Sequence, residues 1–153
     1  MKNSYYAYLA FACLIVSACT ATPAGKLTPN DFYSKTFAVN DSVDQARNNL
    51  LNGIRTCGHE TGKVFNVIHH GRPDCLPKDN QGGITCDLYI DIGNAGNDYV
   101  SGRIIFEPIE RHKTEATIGA IKRFAKKDRM INAWHLFIQG RENKVCSGTD
   151  KKS

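Results

Sequence analysis

The stretch ITCDLYIDI, residues 84 to 92, alternates from end to end, with Ile84, Cys86, Leu88, Ile90 and Ile92 on one side and Thr85, Asp87, Tyr89 and Asp91 on the other. Period-two alternation of this length defines an antiparallel strand buried on one face and solvated on the other. The flanking residues extend that reading. GNAGND (93–98) supplies turn chemistry, and YVSGRIIFEPIE (99–110) returns as the partner strand with Ile104 and Phe106 pointing inward. Pro108 has no N–H for a ladder, so the far end of that strand is expected at an edge or a bulge.

Upstream, GRPDCLPKDNQGG (71–83) carries Pro and Gly at spacings that predict an irregular loop, and KVFNVIHH (63–70) reads as a β-branched strand. In NDSVDQARNNLLNGIRTCGHE (40–60), Val43, Ala46, Leu50, Ile54 and Cys57 recur at helical spacing. Ser42 and Gln45 are placed as a capping box and Gly58 as the stop. SKTFAV (34–39) predicts a short strand with Phe37 and Val39 on one face.

Downstream, HKTEATIGAIKRFAKK (112–127) sends two signals. Ala116, Ile118 and Ala120 alternate as in a strand, while Ile121 and Phe124 are spaced as in a helix, and the reading taken is a strand to Ile121. DRMINAWHLFIQG (128–140) predicts a second helix with Asp128 as N-cap, Met130, Trp134, Phe137 and Ile138 on its apolar side and Gly140 at its end. This order of elements predicts an α+β fold, a two-layer sandwich in which an antiparallel sheet of four to five strands carries two helices on one face. The polar face, with Asp87, Tyr89 and Asp91, is then expected to meet solvent.

The N-terminus is read as an address. Lys2 precedes an apolar block from Ala7 to Ala18, and twelve residues fall short of the roughly 20 that a spanning helix needs. The block closes in Val16-Ser17-Ala18-Cys19, which resembles the lipobox of bacterial lipoproteins. The resemblance implies removal of residues 1–18 and a covalent lipid anchor on Cys19; a second residue of Thr20 rather than Asp implies sorting to the outer membrane in Gram-negative families. The competing reading is an ordinary secretory cleavage after Ala24, which would discard Cys19. TATPAGKLTPND (20–31) has two prolines and few large apolar side chains, so 19–31 is expected to be an extended lipidated tether and 32–153 a single domain.

Six cysteines become four once Cys13 leaves with the leader and Cys19 takes lipid. An even number in an exported chain predicts two disulfides, with three connectivities open. Within the predicted arrangement Cys75 and Cys86 flank one loop, while Cys57 and Cys146 follow the two helices, so these pairings are the ones expected. In a chain-entropy model the short bridge contributes about 3 kcal/mol and the long one about 4.5 kcal/mol.

Chemistry-bearing motifs are sparse. Cysteine spacing lacks the paired knuckles of a zinc site, and the neighbours His69 and His70 point to opposite faces of a strand, so no metal site is expected. His59, His112 and His135 are isolated, and DIGNAGND (91–98) lacks the ligand order of a calcium loop. There is no Gly-x-Ser-x-Gly elbow and no Ser-x-x-Lys, so neither catalytic residues nor a cofactor beyond the lipid are assigned.

Loss of Lys2 with the leader takes Lys+Arg from 20 to 19 against 15 Asp+Glu, a net charge of +4 that is too weak and dispersed for nucleic acid. Seven of these cations, Arg111, Lys113, Lys122, Arg123, Lys126, Lys127 and Arg129, gather in one stretch as a candidate anionic-contact surface. The chain is similar in general design to small disulfide-bridged envelope lipoproteins of unassigned function. The expectation is a non-enzymatic accessory lipoprotein that holds an envelope protein partner at the outer membrane, its domain facing the periplasm. Alternatives are binding of an anionic component (lipid head group, lipopolysaccharide or cell wall) and inhibition of a hydrolase such as lysozyme.

Overall fold

The computed structural model describes residues 26–58, 73–78, 81–91, 98–124 and 126–146. The leader, Cys19, the strand expected at 63–70 with His69 and His70, His59, and most of the turn at 93–98 lie outside the described residues. Five strands form one antiparallel sheet: β1 (Phe32–Val39), β2 (Asp74–Pro77), β3 (Ile84–Asp91), β4 (Asp98–Glu110) and β5 (Lys113–Ile121), in the spatial order β1-β5-β4-β3-β2. β2 to β5 are a meander, and β1 closes it by pairing with the last strand. Helices α1 (Val43–Gly58) and α2 (Lys127–Ile138) pack on each other and on the sheet, followed by the short α3 (Glu142–Cys146). The fold is α+β with an antiparallel sheet and helices, as the alternation at 84–92 implies. Among the described residues no helix is long and apolar enough to cross a membrane.

Register decides which side chains share a face. Cys86 is opposite Ile104, which is opposite Ile118; Ile84 is opposite Phe106, which is opposite Ala116. These residues all point at the helices, and all but the half-buried Ile84 are fully buried with Leu50, Ile131 and Ile138. Gly102 lies in the same layer under the Trp134 ring, which occupies the space a Cβ would need. Close approach of helix to sheet requires glycine there.

The helix ends follow local rules with one departure. Ser42 Oγ accepts the Gln45 N–H at 3.3 Å, and the Gln45 side-chain amide donates to Asn49 Oδ1 at 2.8 Å. α2 starts two residues earlier than expected, with Lys126 rather than Asp128 at the N-cap; Asp128 is instead held by Lys35 of β1 at 2.8 Å. A carboxylate drawn into a cross-element ion pair is not free to cap. At the other end Gly140 adopts φ +65°, and Asn49 of α1 donates to the Ile138 carbonyl at 3.1 Å.

Three further departures from expectation follow, two set by disulfides and one by a local capping turn. The loop expected at 71–83 contains β2, because Cys75 sits directly opposite Cys86 with Cα atoms 4.0 Å apart, and the disulfide imposes strand register on its neighbours. Pro77 is tolerated at this outer edge, and the Lys78 N–H donates to Gly83 O to close the hairpin. The tether expected to be extended to residue 31 ends in a 3-10 turn at Pro29–Asp31, where the Asp31 carboxylate accepts from the Thr28 N–H (2.7 Å) and hydroxyl (2.8 Å). Finally, α3 adds a third helix, pinned to the end of α1 by the Cys57–Cys146 disulfide with Cα atoms 5.2 Å apart.

The strand reading of 112–121 holds, and the competing helical signal has an explanation. Ala116, Ile118 and Ala120 face the helices, whereas Ile121 and Phe124 join Phe32, Val100, Leu27 and Tyr89 in a second small apolar cluster on the opposite face. The polar face is therefore not wholly solvated: one end of it is roofed.

Candidate functional site

Beyond that roof the outer face of the sheet carries no helix among the described residues. Alternation and register lay Thr36, Thr117, Ile105, Thr85 and Leu76 in one row across all five strands. Thr36 and Thr117 hydrogen-bond at 3.0 Å, and Leu76 at the β2 edge is 61% exposed. Ile109, at the register shift after Pro108, is 53% exposed and is, among the described residues, the other large apolar side chain presented to solvent. That shift is the bulge anticipated from Pro108.

The adjoining row is charged. Arg103 of β4 meets Asp87 of β3 through two parallel bonds, Nε–Oδ1 at 2.6 Å and Nη2–Oδ2 at 2.9 Å, and its guanidinium lies 5.3 Å from the centre of the Phe32 ring. Hydrogen bonding to Asp87, opposed in part by burial, raises the Arg103 pKa further above its ordinary value. The fork matches a planar carboxylate and fixes both side chains against the small cluster. On the other side of the uncharged row, Lys78 pairs with Glu107. Neither Arg103 nor its partnership was legible in the sequence, because opposition to Asp87 depends on a register set by a shift between Leu88 and Tyr89. Ser101 is fully buried at that shift and donates its hydroxyl to the Leu88 carbonyl at 3.0 Å.

The cationic stretch does not form one surface. Arg111 and Lys113 sit at the β4–β5 turn, with Lys113 paired to Glu110 at 3.3 Å. Lys122, Arg123, Lys126, Lys127 and Arg129 lie past the other end of β5, eight residue steps or roughly 27 Å away. An intervening strand separates what the sequence runs together. At this second end Lys127 Nζ is 5.6 Å from the centre of the Tyr33 ring, and the Lys122 N–H donates to Asp31 O at 3.0 Å. Asp31 is held below its ordinary carboxylate pKa by the two Thr28 bonds, with smaller help from Lys122 and Arg123.

The four domain cysteines form the two expected disulfides, so none of them is a free thiol. Among the described residues no three of His, Cys, Asp and Glu gather as a metal-ligand set. His112 is exposed at a turn, and His135 is stacked on Phe37 with ring centroids 3.9 Å apart. Burial, with the nearby Arg141, lowers the His135 pKa, and its Nε2 lies 3.0 Å from the Gln139 amide nitrogen.

Among the described residues the fold is α+β, with one sheet face covered by helices and the other carrying none. No protein-family model matches the chain, and no curated protein resembles it in sequence. Among solved structures, the human StarD13 (DLC2) lipid transfer and protein localization domain is similar over 83% of this chain and 81% of that one, at 10% identity and a TM-score of 0.42.

Proposed function

We propose that the chain is an envelope lipoprotein, anchored through lipid on Cys19 at the outer membrane, whose domain binds a protein partner on its open sheet face and performs no catalysis of its own. The observation that carries this reading is the uncharged row from Thr36 to Leu76. It crosses five strands, ends in an exposed leucine and is flanked by side chains already paired with one another, Arg103 with Asp87 and Lys78 with Glu107. A rigid surface with an apolar centre and a satisfied polar margin suits protein recognition. The disulfides support the reading by tying β2 to β3 and α1 to α3, and they suit an oxidising compartment.

The test is crosslinking of the protein in its own envelope, followed by mass spectrometry of captured species. The expected result is one dominant protein that is lost from Leu76→Asp and Ile105→Asp variants whose melting matches the parent. Capture unchanged by both substitutions, or capture of no protein, would overturn the assignment.

A further inference from the structure

The route by which the N-terminal segment leaves the domain is fixed. Leu27 packs with Phe32, Val100, Ile121 and Phe124, and the turn at Pro29–Asp31 is closed by Thr28 and Asp31, so Lys26 emerges beside the end of β5. That is also where Lys122, Arg123 and Lys126 are exposed and where Lys127 lies against Tyr33. The sequence places Lys26 in the tether and the others about a hundred residues later; only folding joins them. Two acids lie among these cations and offset part of their charge: Asp31, hydrogen-bonded by Thr28 and facing Lys122 and Arg123, and Asp128, paired with Lys35 at 2.8 Å and facing Lys127. Asp91 ends β3 and Asp98 begins β4, so by count five cations stand against four acids at this end of the sheet.

Lys26 lies seven residue steps beyond Cys19, so a fully extended link spans at most about 25 Å and a coiled one roughly 15 Å. A lipid on Cys19 therefore holds this end near the bilayer, while Arg111, Lys113 and their acidic neighbours are kept a sheet-length away. Lys126 and Lys127 also stand at the N-terminus of α2, where positive charge opposes the macrodipole. Their placement works against fold stability and favours an anion outside the chain.

We infer that the cationic end formed by Lys26, Lys122, Arg123, Lys126 and Lys127 rests on the anionic headgroups of the same membrane that holds the lipid on Cys19. The inference rests on the anchor reading above and adds an orientation to it. A lipid anchor plus a basic patch is a two-signal membrane contact, each cation near an anionic surface strengthening it several-fold. In this orientation the strands run away from the bilayer and the open face is presented sideways to a partner.

The experiment uses the full-length protein purified from its own envelope and reconstituted into vesicles of phosphatidylcholine alone or with three-tenths phosphatidylglycerol. Lysines are labelled with a water-soluble amine reagent and mapped by mass spectrometry. The expected result is that labelling of Lys26, Lys122, Lys126 and Lys127 falls roughly fivefold or more in the anionic vesicles and recovers in 0.5 M salt, while Lys113 is unaffected. Reversal of charge in the Lys122→Glu/Arg123→Glu variant abolishes protection of Lys26, and the Arg111→Glu variant leaves it intact. Equal labelling in both vesicles overturns the docking. Intact mass reports the lipid separately: protection without lipid on Cys19 keeps the docking and removes the anchor, and lipid without protection does the reverse.

Discussion

The two faces of the sheet are built from the same five strands but held by different physics. The covered face is closed by apolar packing, two disulfides and a tryptophan seated on glycine, and its centre, from Cys86 through Ile104 to Ile118, is fully buried. The open face is held by paired polar groups: a forked Arg103–Asp87 bridge, a threonine pair and Lys78–Glu107. Burial of apolar area is non-directional and cumulative, so the first face sets stability. Exposed polar pairs contribute little energy but fix geometry, so the second is free to serve recognition.

That contrast is broken most severely at the covered face. Removing the long bridge with Cys57→Ser and Cys146→Ser is expected to cost about 4.5 kcal/mol in denaturant unfolding, against about 3 kcal/mol for the Cys75/Cys86 pair. Equal losses would mean that the enclosed chain length does not govern the effect. Gly102→Val drives a side chain into Trp134 and is expected to cost about 2–3 kcal/mol, with a shift in tryptophan fluorescence reporting the displaced ring.

At the open face the effects shrink. Arg103→Ala leaves Asp87 without its fork and uncovers the Phe32 ring, for an expected loss of about 1–2 kcal/mol; a double-mutant cycle with Asp87→Ala assigns the shared part. The smallest effect is a pH dependence at the seam between helix and sheet. His135 has a folded pKa below its ordinary 6.5, so the unfolded chain takes up the proton first. Its contribution is fully present above pH 6.5 and is lost as pH falls from there through the folded value. Melting temperatures of the parent should fall from pH 7.5 to pH 5 more than those of His135→Gln, and parallel profiles would remove His135 as the cause.

Legibility followed the same division. Strand and helix spacing at 84–92, 99–110 and 43–58 was readable because the covered face is a solvent-exclusion pattern written locally, one side chain in two or in 3.6. The disulfide pairing followed once those elements were placed. β2 was not readable, since Asp74–Pro77 contains a proline and no alternation and is a strand only because Cys75 faces Cys86. Asp128 looked like a helix cap and became the partner of Lys35, and Ile121 and Phe124 looked helical because they serve a second cluster on the other face.

By itself, then, the sequence determined the alternation that makes the sheet, the face each helix buries, and the four cysteines that staple them. These are properties of neighbouring residues, and local sterics and hydrophobicity suffice to read them. Tertiary structure alone decided that Arg103 meets Asp87, that an uncharged row crosses five strands, and that the cationic stretch divides into two ends with Lys26 joined to one of them. Each depends on strand register and on a connection between distant segments. A shift of one residue would send the strand side chains among them to the opposite face.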